Sequence, residues 1–265
     1  LDLPLGLPVV APLPRPRPPL DEAGRPLPPS LPTNPEAEAR HAACLVRLAG
    51  LAEAEPEPPA IGKPGCETGE LVRLVAFRLP DGSRVAVHGP GLQAPTRLRC
   101  SMVEVLAQWV REDVAPLAVA AGGHLTGLVV DSSYECRPRN RIIGAKMSEH
   151  GTGNAIDIRG LSLPGGRTVG LTDPAADKPL RTKLQAAACA RFMTVLGPGS
   201  DGYHETHVHL DLAERRNGMR LCKWEVRDPS WKPPAKPGPA KPAAPAPEAE
   251  PDAPEPDAAA GPAEE

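Results

Sequence analysis

Two short segments hold the residue types that a catalytic metal site requires. The first is Ser148-Glu149-His150-Gly151-Thr152-Gly153-Asn154-Ala155-Ile156-Asp157, and the second is His204-Glu205-Thr206-His207-Val208-His209. Together they offer two imidazoles and a carboxylate for one divalent metal, with a further imidazole beside it. Three protein ligands that leave a fourth position open to water have the composition of a catalytic zinc site. Zinc is therefore the expected cofactor.

Strand periodicity says how such residues could meet, because side chains two apart in a strand project to the same face. In His207-Val208-His209-Leu210-Asp211-Leu212 the polar residues take one face and the apolar ones the other. The same alternation in Ala155-Ile156-Asp157-Ile158 turns Ile156 and Ile158 to a core and Asp157 away from it. Two adjacent strands of one sheet would aim Asp157, His207 and His209 into a single cleft. Gly151 and Gly153 allow a sharp turn that brings His150 over the same cleft. Each piece alone has an ordinary explanation, a turn histidine or a solvated strand face. Their co-occurrence argues otherwise, since four of the seven histidines lie in these two segments. His41, His88 and His124 stand apart and receive no role.

The residues also carry a family resemblance. Ser148-Glu149-His150-x-x-Gly153-x-Ala155-x-Asp157 is similar to the pattern of D-Ala-D-Ala carboxypeptidases, in a metallopeptidase superfamily that includes murein endopeptidases and the hedgehog signalling domain. The H-x-H half resembles that of the murein endopeptidases. Residues from about Cys44 to Cys222 resemble the extensin-like C-terminal domain of bacterial proteins. The matching segments include Leu98-Arg99-Cys100, Ser133 to Asn140, Ala188-Cys189, Val195 to Asp201 and His207 to Leu212.

The resemblance implies His150, Asp157 and His209 as zinc ligands, with His207 beside the metal as general base or transition-state stabiliser. The carboxypeptidase branch keeps a glutamate three residues before its last ligand, and that position here is Thr206. Glu205, sharing strand parity with His207 and His209, is the alternative base. Arg137 and Arg139 lie where related enzymes keep a polar or basic group, to stabilise an oxyanion or grip a substrate carboxylate; two solvated loop arginines is the competing reading. The implied function is zinc-dependent hydrolysis of a peptide bond in peptidoglycan. The alternative is an inactive zinc-containing module that binds peptidoglycan or an envelope partner, as the hedgehog domain binds without cleaving.

The elements that must position these residues fit an α+β domain with a mainly antiparallel sheet flanked by helices, of the hedgehog/DD-peptidase type. A helix starts at Asn34-Pro35 and runs through Cys44, Leu48 and Leu51. Leu71 to Phe77 and Arg84 to Val87 form a strand pair across Pro80-Asp81-Gly82. Ser101-Met102-Val103-Glu104 has the form of a capping box, opening a helix with Val103, Leu106, Val110 and Val114 on one side. Leu125 to Val130 reads as a buried strand, and Leu180 to Val195 as a third helix.

Composition bounds the rest. Of 265 residues, 37 are proline and only 3% aromatic, so much of the chain is not packed core. The expected organisation is a Pro-rich disordered arm over 1–35, the domain over 36–228 and a Pro/Ala/Glu-rich tail over 229–265. Six cysteines at 44, 66, 100, 136, 189 and 222 lie inside the domain with no C-x-x-C spacing, which favours disulfides. Fifteen pairings are open; chain order suggests Cys44–Cys66, Cys100–Cys136 and Cys189–Cys222. No membrane-spanning stretch and no signal peptide appear, and a chain beginning at Leu1 fits a processed protein of the periplasm or cell envelope. A net charge of −3 with no basic stripe argues against nucleic acid.

Overall fold

The computed structural model describes residues 35–58, 64–68, 70–89 and 95–232. The expected arms over 1–35 and 229–265 fall outside these residues except at Pro35 and 229–232, as does the expected cap Asn34. Helix α1 (Pro35–Leu48) leads into β1 (Ala52–Pro56), which pairs antiparallel with β2 (Leu71–Arg78). The other edge of β2 takes two partners in line, β4 (Thr96–Arg99) along its first half and β3 (Arg84–His88) along its second. Helix α2 (Cys100–Trp109) continues through a π-helical turn at Val110–Val114 into α3 (Ala115–Ala120). Pro116 offers no N–H to the carbonyl one turn back and crowds it, which accounts for the widened ladder there.

A second long strand organises the other half. β5 (Gly127–Ser132) runs parallel to β3 and antiparallel to β6 (Ala155–Ser162). The far edge of β6 takes β9 (Val208–Asp211) along its first half and β7 (Thr168–Gly170) along its second. Between them come α4 (Lys178–Arg191) and β8 (Thr194–Leu196), which pairs with β9 and, in parallel, with β10 (Leu221–Lys223). One sheet results, in the order β1-β2-β3-β5-β6-β9-β8-β10. The α+β class with a mostly antiparallel sheet is as expected.

The helices cover the face where the strands present Val72, Leu74, Leu128, Ile156, Ile158, Val208 and Leu210, packed in one cluster with Met102, Leu106, Trp109, Val110 and Leu184. Trp109 meets Phe192 edge to face at 5.9 Å, a contact worth about 0.5–1.5 kcal/mol beyond its buried area. Period-two alternation in β6 and β9 then sends Asp157 and His209 to the opposite face, where a cleft opens.

Three local expectations need correction. The helix expected from Ser101 starts at Cys100, with Arg99 at its N-cap and no side-chain cap bond; Glu104 pairs instead with Arg47 at 2.6 Å. β4 runs straight into this helix, leaving no turn for a serine cap. The third helix ends at Arg191, not Val195, because Thr194 and Val195 are β-branched and are claimed by the ladder with β9. It opens on Asp177, whose carboxylate accepts from the Leu180 N–H at 2.8 Å. Two of the three cysteine pairings differ from chain order: the bridges are Cys44–Cys100, Cys66–Cys136 and Cys189–Cys222. Packing of α1 on α2 sets Cys44 beside Cys100, an adjacency that chain order cannot convey.

Candidate metal centre

β6 and β9 are antiparallel neighbours, and Asp157 stands directly opposite His209 in the ladder. His150 arrives on a 3-10 turn over Glu149–Thr152 whose entry is Ser148, with the Ser148 hydroxyl accepting from the His150 N–H. The turn ends at Gly153 in the left-handed region at φ 69°, and a Cβ there would lie 2.6 Å from Leu71, so only glycine fits. Gly151 serves differently: its φ is not left-handed, but a Cβ would press on Met147 at 2.9 Å. The expected sharp return of His150 toward Asp157 is what the chain does.

The three side chains meet in a buried cluster, with exposures of 2%, 3% and 7% for His150, Asp157 and His209. His209 Nδ1 lies 2.9 Å from Asp157 Oδ1, His150 Nε2 lies 3.2 Å from Asp157 Oδ2, and the two imidazole nitrogens are 3.1 Å apart. The opposite nitrogens are anchored. His150 Nδ1 is 2.7 Å from the Ser133 carbonyl, which can only accept, so this nitrogen carries a proton and leaves Nε2 as the atom turned to the cluster. His209 Nε2 donates to Asp211 Oδ2 at 3.0 Å, which frees Nδ1 for the cluster. A partner that fixes each ring by its second nitrogen is the arrangement metal-ligating histidines use.

Charge in the cluster asks for a cation. Burial works against ionising Asp157, but hydrogen bonds from His150 and His209 outweigh it and hold its carboxyl well below the usual range. Burial alone would push His209 down, yet Asp157 and Asp211 on its two sides outweigh that and push it up to about 9. Without metal, a proton on His209 thus supplies the positive charge that two buried carboxylates demand. Donors in tetrahedral array at zinc distances lie ~3.3 Å apart, close to the separations seen here. Donor chemistry, spacing and anchored tautomers therefore fit a zinc ion held by His150, Asp157 and His209. The other metal-type grouping among the described residues, Cys44, Cys100 and Glu104, has its cysteines joined in a disulfide.

His207 stands beside the cluster with its Nε2 3.7 Å from Asp157 Oδ2. Burial is the main influence on its imidazole and holds it below the ordinary histidine range. A cleft of about 750 Å³ opens over these groups, and Arg137 and Arg139 both line it. Arg137 is nearly buried and donates to Glu135 at 3.0 Å, whereas Arg139 is exposed and only 4.0 Å from Glu149. Glu205, the alternative base, is not among the lining residues. It accepts from the Gly199 N–H at 3.0 Å and pairs with Arg227 at 2.5 Å. β9 starts only at Val208, so strand parity never extends back to it.

Three acidic or imidazole groups of the cleft carry no role in the sequence analysis. His204 is buried, its Nδ1 2.7 Å from Asp201 and its ring 5.3 Å from that of His207 and 5.5 Å from that of His209. Asp211 anchors His209; its place two residues on in the same alternating strand was the available signal. Asp131 follows an apolar run that reads as pure core, and nothing in the sequence marks it.

The family model described as extensin-like protein C-terminus matches residues 42–223. No curated protein and no solved structure gives a match.

Proposed function

We propose that this chain, which belongs to the extensin-like protein C-terminus family, is a zinc-dependent peptidase that hydrolyses a peptide bond in cell-wall peptidoglycan, on a domain of the hedgehog/DD-peptidase type. The observation that carries this reading is the buried His150–Asp157–His209 cluster with its anchored tautomers and a separate imidazole, His207, at the mouth of the same cleft. A structural site alone would have no need of that fourth group.

When bound, zinc supplies a Lewis acid that acidifies water and polarises an amide carbonyl. His150 Nε2, Asp157 and His209 Nδ1 would hold it, each kept in place by the ladder, the 3-10 turn or the Ser133 and Asp211 anchors. His207 then acts as general base: its Nε2 takes the proton from the attacking water and later gives it to the leaving amine. Burial favours the neutral form of this imidazole, which keeps a ring lone pair available to accept. Arg137, fixed by Glu135, offers a guanidinium toward the developing oxyanion. Arg139, weakly held at the rim, is free to meet a substrate carboxylate.

Three disulfides support placement in an oxidising compartment, the periplasm or cell envelope. Among the described residues no helix is long and apolar enough to cross a membrane. The test is incubation of purified peptidoglycan sacculi with zinc-loaded protein, followed by mass analysis of released muropeptides, with His150→Ala as control. Products present only with the unaltered protein support the peptidase and identify its bond. Intact sacculi that retain the zinc-loaded protein would replace it with a non-hydrolytic binding module.

A further inference from the structure

The β5–β6 ladder slips twice within a few residues. Val129 stands opposite Gly160, Val130 opposite Ile158, and Ser132 opposite Asp157. The first slip leaves Arg159 as the extra residue of β6, and the second leaves Asp131 as the extra residue of β5. In an unbroken ladder continuing from Val129–Gly160, Arg159 would fall opposite Val130 and Asp131 opposite Ile158, so that charged and apolar side chains would clash on one face in both pairs. The bulges remove that clash and re-aim both extra side chains, as bulges beside functional sites do. The two displaced residues find each other: Arg159 Nε donates to Asp131 Oδ1 at 2.9 Å.

That contact occupies one carboxylate oxygen and leaves the second facing His207. Asp131 Oδ2 lies 3.5 Å from His207 Nδ1, an atom that is buried and without a hydrogen-bond partner among the described residues. The other ring nitrogen points at the metal cluster, 3.7 Å from Asp157 Oδ2. His204 meets the ring edge-on at 5.3 Å between centroids, and His209 also lies within electrostatic reach of it. A carboxylate can only accept, so Asp131 favours the proton on Nδ1 and leaves the Nε2 lone pair toward the cleft.

We propose that Asp131 is the positioning residue for His207, fixing it as the Nδ1–H tautomer, and that Arg159 holds Asp131 in place. This rests on the reading of His207 as the base, and it assigns a role to the paired bulges. The logic is that of a carboxylate behind a catalytic imidazole, which orients the ring without taking its proton.

The experiment is two-bond ¹H–¹⁵N correlation NMR of the full chain, labelled at histidine, at pH 8, above the ordinary imidazole range. The expected result is a protonated Nδ1 and bare Nε2 for His207, with the proton moving wholly or partly to Nε2 in Asp131→Asn. Arg159→Ala, at a side chain more than half exposed, is the safeguard against a misfolded Asp131 variant and should give a mixture of tautomers. A parallel sacculus assay should show Asp131→Asn losing at least tenfold in kcat with KM and zinc content unchanged, and Asp131→Glu recovering part of the loss. A proton on Nε2 in the unaltered protein, or a tautomer indifferent to both substitutions, overturns the proposal. An inactive protein whose His207 tautomer still follows Asp131 would retain the positioning role and sink the peptidase reading. An active one with an indifferent tautomer would do the reverse.

Discussion

Asp211→Asn should weaken zinc binding without unfolding the protein. Asp211 is 4% exposed, and its two oxygens have separate tasks: Oδ2 accepts from His209 Nε2–H at 3.0 Å, and Oδ1 accepts from the Ala213 N–H at 2.9 Å. Asparagine keeps the shape but only one acceptor. With its oxygen on Ala213, its amide N–H faces His209 Nε2, which must then accept. The ring proton moves to Nδ1, the atom offered to the metal, and the ligand is lost in that tautomer. With its oxygen on His209, the Ala213 N–H is left against an amide N–H, at a penalty of about 1–3 kcal/mol for an unsatisfied buried group. Disturbing a partner of this kind lowers metal affinity about 10–100-fold, or about 1.4–2.8 kcal/mol. The proton on His209 complicates the reading at lower pH. A group at about 9 weakens metal binding roughly tenfold at pH 8, and removing the Asp211 charge relieves part of that competition. Competitive titration against a fluorescent zinc chelator is therefore best done at pH 9, where the competition is small. An affinity within twofold of the unaltered protein at that pH would refute the anchoring argument.

Other outcomes follow from the same geometry. His207→Ala should keep one zinc per chain and lose about 100-fold or more in muropeptide release; unchanged release with zinc bound would remove His207 from the mechanism. Zinc uptake at pH 7 should release about one proton, since His209 is protonated below about 9 in the metal-free protein and must surrender Nδ1 to the metal. Apparent affinity should accordingly fall as pH drops below about 9. Calorimetry in two buffers of different ionisation enthalpy reads the proton directly, and a buffer-independent heat would contradict it. Proteolysis without reductant should yield peptides joined as Cys44–Cys100, Cys66–Cys136 and Cys189–Cys222. Replacing Cys44 and Cys100 by serine should lower stability by up to about 4 kcal/mol for a loop of 56 residues, measured by urea unfolding; a Cys44–Cys66 peptide would refute the packing of α1 on α2.

Much of the site was legible because its residues lie on strands, where period two dictates the face. Asp157 and His209 could be placed on one surface from Ile156, Ile158, Val208 and Leu210 alone. His150 was legible through Gly153, whose left-handed backbone forces the turn. Glu205 was misplaced by the same rule, applied beyond the point where the strand begins. Asp131 was illegible because a bulge has no local signature: two extra residues in two strands reveal themselves only when the strands are paired. Two of the three cysteine pairings failed for a related reason, since adjacency of α1 and α2 is a property of the packed core. The third helix ran too far in the reading because Thr194 and Val195 are decided by their partner strand rather than by helical spacing.

The central claim is that His150, Asp157 and His209 hold a catalytic zinc. Its most direct test is to titrate zinc into metal-free protein while following muropeptide release from sacculi, alongside His150→Ala. The account predicts release that rises with zinc and levels at one equivalent per chain, with neither binding nor release in the variant. Release that is full without metal, or absent when one zinc is bound, would contradict it.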